Sequence, residues 1–172
     1  MSHRDYTCSA FNQFWEDHQK LFPEQRTMLD IGCRDAGLRD YFEAKGFTWW
    51  GLDKDDKDGI IVSKMEDMQC VPDESYDLVF SCHSFEHCER PVDALREFQR
   101  ILKKGGWLFM STPSPCFHQI LGADQDHIFV LGDLQMKRLL LYTGWDRVNS
   151  YLQSDHTDRE QDFNIISIGV KK

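Results

Sequence analysis

The run Met28-Leu29-Asp30-Ile31-Gly32-Cys33-Arg34-Asp35-Ala36-Gly37 joins a short apolar segment to a loop bounded by glycines. Apolar residues closed by a glycine read as a buried strand ending in a turn. Beyond it, Leu38, Tyr41, Phe42 and Lys45 keep helical spacing as far as Gly46, which accepts the left-handed conformation of a helix stop. Phe47 to Leu52 then reverts to strand composition, rich in aromatics. Strand, loop, helix and strand follow one another within 26 residues.

The alternation extends in both directions. Upstream, Phe11, Phe14, Trp15, His18 and Phe22 lie at helical spacing, and Pro23 ends that segment. Downstream, Ile60-Ile61-Val62 and Tyr76 to Ser81 read as strands. Pro91 opens a helix with Ala94, Leu95, Phe98, Ile101 and Leu102 on its apolar side, and Gly105-Gly106 is expected to close it. Trp107 to Met110 is a fifth strand. Asp133 is expected to cap a helix carrying Met136, Leu139 and Leu140. Two last strands fit Trp145 to Leu152 and Phe163 to Val170, with the polar stretch Gln153 to Asp162 between them and no helix. This pattern predicts a three-layer α/β domain, with a mostly parallel, doubly wound sheet and an antiparallel end. We read residues 1–172 as one domain: an N-terminal helix over 1–23, an α/β core over 24–152, and a closing loop and last strand over 153–172.

Composition narrows the function. The 172 residues carry a formal charge of -9, with 41% hydrophobic and 28% charged residues. An acidic chain is a poor general coat for nucleic acid or anionic membrane. No apolar run reaches the length of a membrane span, and the N-terminus shows no signal-peptide pattern. The six cysteines (8, 33, 70, 82, 88 and 116) show no C-x-x-C pair. They read as reduced thiols in a cytoplasmic setting.

In open α/β sheets, ligands bind beyond the carboxyl ends of the strands, where strand order reverses. Asp53 ends the second strand, 23 positions after Asp30, and is placed to accept hydrogen bonds from ribose hydroxyls. Nicotinamide enzymes share that feature, so the loop discriminates. A dinucleotide pyrophosphate needs G-x-G-x-x-G, whereas this chain has Gly32-Cys33-Arg34-Asp35-Ala36-Gly37. S-adenosylmethionine has no phosphate, and its ammonium and sulfonium favour nearby carboxylates. Residues 30–77 hold 13 Asp/Glu against 6 Lys/Arg, in keeping with a cationic ligand.

At these residues the chain resembles the Rossmann-like, class I S-adenosylmethionine-dependent methyltransferases. The likeness runs through M-L-D-I-G-C-R-D-A-G, W-W-G-L-D-K-D, P-D-E-S-Y-D-L-V-F-S-C-H-S-F-E-H and R-P-V-D-A-L-R-E-F-Q-R-I-L-K-K-G-G-W-L-F. It resumes in D-H-I-F-V-L and L-L-L-Y-T-G-W. It implies seven strands with the last antiparallel. It also implies that Asp30 and Gly32 lie under the methionine part of the cofactor, that Cys33 is a further cofactor contact, that Asp53 holds the ribose and that the Lys54 stem covers the adenine. Met65 and Glu66 would meet the adenine edge, and the carbonyls of Ser81 and Cys82 would face the methionine amino group. The sequence departs from the family at Arg34 and Ala36, where glycine is usual, and at Lys64, where aspartate is usual.

His83 follows the fourth strand, facing the place where the methyl group would sit, and is the candidate general base. His83-x-x-Glu86-His87 formally matches an inverted zinc-protease pattern. No later Glu-rich helix completes that set, so no metal is expected and Glu86, His87 and His127 read as structural. Phe85, Cys82 and Cys88 read as packing, as does the N-terminal aromatic stripe, and one of Trp49 and Trp50 should be buried. The expected activity is methyl transfer from S-adenosylmethionine to an acceptor, most simply a small molecule. Recognition would come from residues 1–23, the loop at 113–132 or a partner subunit, possibilities that include a homodimer. The alternative is a non-catalytic module that binds S-adenosylmethionine or S-adenosylhomocysteine. A nicotinamide oxidoreductase ranks third.

Overall fold

A computed structural model describes residues 3–115, 126–153 and 164–172. Helix α1 (His3–His18) continues into a turn of 3-10 helix at Gln19–Leu21, and β1 (Arg26–Ile31) follows. Next come α2 (Arg39–Glu43), β2 (Phe47–Asp53), β3 (Ile61–Val62) and β4 (Tyr76–Cys82). A 3-10 turn at Phe85–His87 precedes α3 (Pro91–Ile101) and β5 (Leu102–Pro113). Helix α4 (Asp133–Tyr142), β6 (Asp146–Gln153) and β7 (Asn164–Val170) complete the described elements.

The strands form one sheet in the order β3-β2-β1-β4-β5-β7-β6. The pairs from β3 to β5 are parallel, whereas β7 runs antiparallel to both β5 and β6. The doubly wound sheet with an antiparallel last strand is therefore as expected. Side chains of a strand alternate between faces, and two cores result. Leu29, Ile31, Val79, Leu108, Met110 and Ile165 pack with Leu95 and Phe98 of α3 and Met136 and Leu140 of α4. Met28, Leu78, Phe80, Phe109 and Ile166 pack with Phe11 and Phe14 of α1 and Phe42 of α2.

The aromatic stripe of α1 is core, as its spacing suggested. Phe11 is fully buried, with the Phe42, Phe80 and Phe109 ring centroids 5.1, 5.7 and 5.1 Å away. Truncating such a side chain costs about 3–5 kcal/mol. Trp49 is buried and Trp50 is 48% exposed, the split that strand alternation requires.

Two boundaries differ from expectation. Helix α3 stops at Ile101, because Leu102 is extended and pairs with Tyr76. Gly105-Gly106 therefore lies within β5 rather than closing the helix, with Gly105 at φ +75°. Asp133 is the first helical residue of α4, and Gly132 is its N-cap. An acidic group in the first turn still favours the helix through its dipole. The expected recognition loop at 113–132 and the connection at 153–162 lie in large part outside the described residues, as does Cys116.

Candidate functional site

Strand order reverses between β1 and β4, so the crevice opens beyond their carboxyl ends. Gly32 N–H and Cys33 N–H both donate to the Leu52 carbonyl, at 2.8 and 3.2 Å, which hangs the loop after β1 on the end of β2. Gly32 has φ +75°, and a Cβ there would collide with the Ser84 side chain. Ser84 Oγ in turn donates to the Ile31 carbonyl at 2.8 Å and lies 2.8 Å from Ser81 Oγ. Only glycine lets the loops after β1 and β4 meet so closely.

Arg34 and Ala36 stand at φ 51° and 57°. The chain thus keeps the left-handed backbone at both positions where the family usually has glycine, at a cost of about 1–2 kcal/mol each. The Arg34 backbone N–H donates to Asp53 Oδ2 at 2.8 Å, and Asp55 N–H donates to Oδ1 at 3.2 Å. Asp53 is 8% exposed. Its carboxylate is fixed at the crevice rim with lone pairs left for a diol. The Arg34 side chain points to solvent, and Asp35 pairs instead with Arg4, at 3.3 Å.

Asp30 is buried, and burial pushes its carboxyl up to about 7. The Trp49 indole and Arg4 favour its charged form, while Asp53 opposes it. Burial also pushes the Cys33 and Cys82 thiols up to about 12, so both stay protonated and are poor nucleophiles. Cys82 Sγ donates to Thr7 Oγ1 at 3.3 Å, and Thr7 donates to Ser111 Oγ at 3.0 Å. The first turns of α1 therefore roof the crevice while its later turns fill the core.

Asp30, Gly32, Cys33, Asp53, Ser81 and Cys82 converge at neighbouring strand ends, where Asp30 pairs in register with Gly51 and Ile31 with Ser81. Lys54 is exposed beside Asp53. Met65 and Glu66 belong to the segment after β3, with Met65 half-buried against the core. Glu66 is buried, and its Oε1 accepts the Glu89 backbone N–H at 2.7 Å, so one carboxylate oxygen already serves structure. Lys64 lies 3.6 Å from Glu89 on the surface.

His83 has φ 50° immediately beyond β4, and its N–H donates to the Ser111 carbonyl at 2.9 Å. Its Nε2 donates to Asn164 Oδ1 at 2.9 Å, the bond that fits the tautomer protonated on Nε2. Glu86 Oε1 lies 3.6 Å from Nδ1. Glu86, 1% exposed, also lies 3.8 Å from His127 Nε2. Asn164 and Thr7 escape sequence reasoning, because a polar residue after a long polar stretch, or in a helix, carries no motif. Arg4 escapes it because Asp35, with which it pairs, lies 31 positions away. Glu86 and His127 did stand out, but the contact between them depends on a return of the chain that spacing does not encode.

A three-layer α/β fold whose switch point carries the Asp53 carboxylate and lacks a G-x-G-x-x-G loop is that of a nucleotide-cofactor domain of the methyltransferase class. Residues 2–157 match the family described as "Methyltransferase domain". The chain belongs to this family, the Rossmann-like S-adenosylmethionine-dependent methyltransferases. Among curated relatives, the Ubiquinone biosynthesis O-methyltransferase of Nitrosomonas europaea is 28% identical over 120 residues, covering 58% of this chain and 51% of that protein. The chain spans about half the length of the curated relatives it matches. A crystal structure of a SAM-dependent methyltransferase from Archaeoglobus fulgidus aligns with TM-score 0.76 at 17% identity, covering 99% of this chain and 95% of that one. The Burkholderia thailandensis 1,6-didemethyltoxoflavin-N1-methyltransferase, with bound 1,6-didemethyltoxoflavin and S-adenosylhomocysteine, aligns with TM-score 0.73 at 11% identity, covering 99% and 78%. Among the described residues, no helix is long and apolar enough to cross a membrane.

Proposed function

We propose that this chain transfers the methyl group of S-adenosylmethionine to a hydroxyl oxygen of a small molecule, as one domain over residues 1–172 working in the cytoplasm. The observation that carries the reading is the strained backbone of His83. A histidine held at φ 50° at the mouth of the crevice is a costly arrangement, and such strain concentrates at functional sites. The curated relatives named as O-methyltransferases support oxygen as the acceptor atom.

In this reading, Asp53 holds the ribose hydroxyls and the ionised Asp30 faces the cationic methionine end. The carbonyls of Ser81 and Cys82 accept from its ammonium. Methyl transfer is an in-line displacement, so most of the rate comes from aligning the acceptor oxygen with the sulfonium. His83 Nδ1 takes the acceptor proton, and the Glu86 carboxylate 3.6 Å away stabilises the resulting imidazolium. Asn164 Nδ2 is buried without a hydrogen-bond partner among the described residues. It is a donor suited to the acceptor oxygen, since a buried orphan of this kind costs about 1–3 kcal/mol until a ligand satisfies it.

The test begins with calorimetric titration by S-adenosylmethionine and S-adenosylhomocysteine, with NAD as control. A panel of small phenols, catechols and aliphatic alcohols then follows, read by S-adenosylhomocysteine release. Binding of both sulfur nucleotides, and turnover that drops at least tenfold in His83→Ala, is the expected result. Absence of cofactor binding sinks the whole reading. Binding with no turnover across the panel favours the non-catalytic alternative, and full turnover in His83→Ala removes the base.

A further inference from the structure

We propose that Glu86, His87 and His127 form a divalent-metal site at the acceptor end of the crevice, built for a borderline transition ion such as Zn²⁺. One ligand atom from each of the three lies within 4.8 Å of the others. Glu86 Oε1 and His127 Nε2 are 3.8 Å apart, a separation that two ligands of one ion adopt when each bond is about 2.0–2.2 Å long. The His87 and His127 ring centroids are 4.8 Å apart, with their planes inclined at 67°. The exposed His87 completes the set from the solvent side.

The surroundings are those of a built site. His87 Nδ1 is engaged by the Asp126 carbonyl at 2.9 Å, which fixes the ring and leaves Nε2 as the ligand nitrogen. Metal-binding histidines are oriented in just this way, through the nitrogen that does not ligate. The two ligand-bearing segments are tied together by backbone. Ile128 N–H donates to the Glu86 carbonyl at 2.9 Å, and Phe129 N–H reaches the same oxygen at 3.5 Å. The Phe129 ring packs edge-on against Phe85, 5.4 Å between centroids, beneath the cluster. Burial is graded from Glu86 at 1% exposed, through the His127 side chain at 9%, to His87 at the surface, which gives an ion a route in.

The donor set selects the ion. Two imidazoles with one carboxylate suit Zn²⁺, Co²⁺ or Fe²⁺, whereas Ca²⁺ and Mg²⁺ favour all-oxygen ligands. Three protein ligands leave a coordination position open, the hallmark of a site that acts on a substrate. Residues 83–87 formally match an inverted zinc-protease pattern, from which no metal was expected. The structure replaces it with a single 3-10 turn at Phe85–His87 whose third ligand, His127, returns 40 positions later. His83 Nδ1, 3.6 Å from Glu86 Oε1, lies on the other flank of the shared carboxylate. An acceptor hydroxyl at the open position would have its pKa lowered by the ion while His83 receives its proton. That role rests on the proposed O-methyl transfer, but metal binding itself does not.

The experiment uses the full chain, stripped with chelator and titrated with ZnCl₂ alone by calorimetry, then with CoCl₂ alone by absorption spectroscopy. One equivalent of Zn²⁺ is expected, together with a d–d spectrum of protein-bound Co²⁺ and a raised Tm. His87→Gln and His127→Gln should each weaken Zn²⁺ at least tenfold, with circular dichroism and S-adenosylmethionine affinity unchanged. The histidine variants carry the test because Glu86 is too buried to replace without risk to folding. No stoichiometric uptake of either ion, or uptake that survives the His87→Gln/His127→Gln double variant, overturns the site. Zn²⁺ uptake by a chain that binds no S-adenosylmethionine would leave the site standing and sink the methyltransferase reading.

Discussion

The Arg34 backbone N–H donates to the Asp53 carboxylate at 2.8 Å, tying the loop after β1 to the end of β2. The bond forms because Arg34 adopts a left-handed backbone, which turns its N–H inward while its side chain leaves for solvent. A loop without the usual glycines thereby holds the Asp53 carboxylate, the proposed ribose contact, in a fixed orientation. Removing that carboxylate tests the arrangement. Asp53→Ala should weaken S-adenosylmethionine by about 10- to 150-fold, the equivalent of losing hydrogen bonds to a charged group. Calorimetry on both proteins decides it, and unchanged affinity would move the ribose elsewhere.

Ala36 carries its left-handed φ of 57° without any side-chain hydrogen bond to offset it. Glycine adopts this conformation without strain but loses more entropy on folding, so the two effects partly cancel. Ala36→Gly is expected to stabilise the chain by about 0.5–1 kcal/mol in urea denaturation. A destabilised variant would show that the methyl group packs usefully against its neighbours.

Gly32 and Ser84 occupy space that admits no Cβ on Gly32. Gly32→Ala combines overpacking with a left-handed alanine, and about 2–4 kcal/mol of destabilisation should follow. Ser84→Gly opens the space, so the double variant should recover the steric part alone. A double-mutant cycle in denaturant reads that coupling, and strict additivity would refute the close approach.

Asp30 gives the site a pH dependence. Its carboxyl titrates near 7 in the folded chain, against an ordinary value of 3.8, because burial disfavours the charge. Between those values the folded state holds a proton that the unfolded state has released. The contribution of Asp30 to stability is therefore complete below the ordinary value and declines as pH rises through 7. The cofactor's ammonium and sulfonium favour the ionised form, so binding expels that proton. Affinity for S-adenosylmethionine should rise between about pH 6 and 8, with at most about a tenfold change per unit below 7. Asp30→Asn should flatten the profile and weaken binding. Calorimetry in buffers of different ionisation enthalpy counts the proton, and a flat wild-type profile would refute the assignment.

Much of the architecture was legible before any coordinates. Alternating apolar residues in Met28–Ile31 and Tyr76–Ser81 have opposite faces to bury, so helices on both sides follow from local pattern alone. The gathering of Asp30, Gly32 and Asp53 at neighbouring strand ends was equally legible, since it follows from where the apolar runs stop. Helix ends were read less well. Leu102 looked like one more apolar helix residue, and only its pairing with Tyr76 draws it into a strand.

The site's second half came from three dimensions. His83, Glu86 and His87 are close in sequence, but their meeting with His127 and Asn164 depends on two returns of the chain to the same end of the sheet. Arg34 and Ala36 looked like losses because residue type reports side-chain bulk and charge. Whether a non-glycine residue still bends to the left is settled by what its backbone can bond to, and here the Asp53 carboxylate supplies that partner for Arg34. Local chemistry thus dictated the sheet and the carboxylates at its strand ends. The tertiary structure decided the cluster around His83 and Glu86, because contacts between distant segments follow from how the layers pack and not from the spacing of residues along the chain.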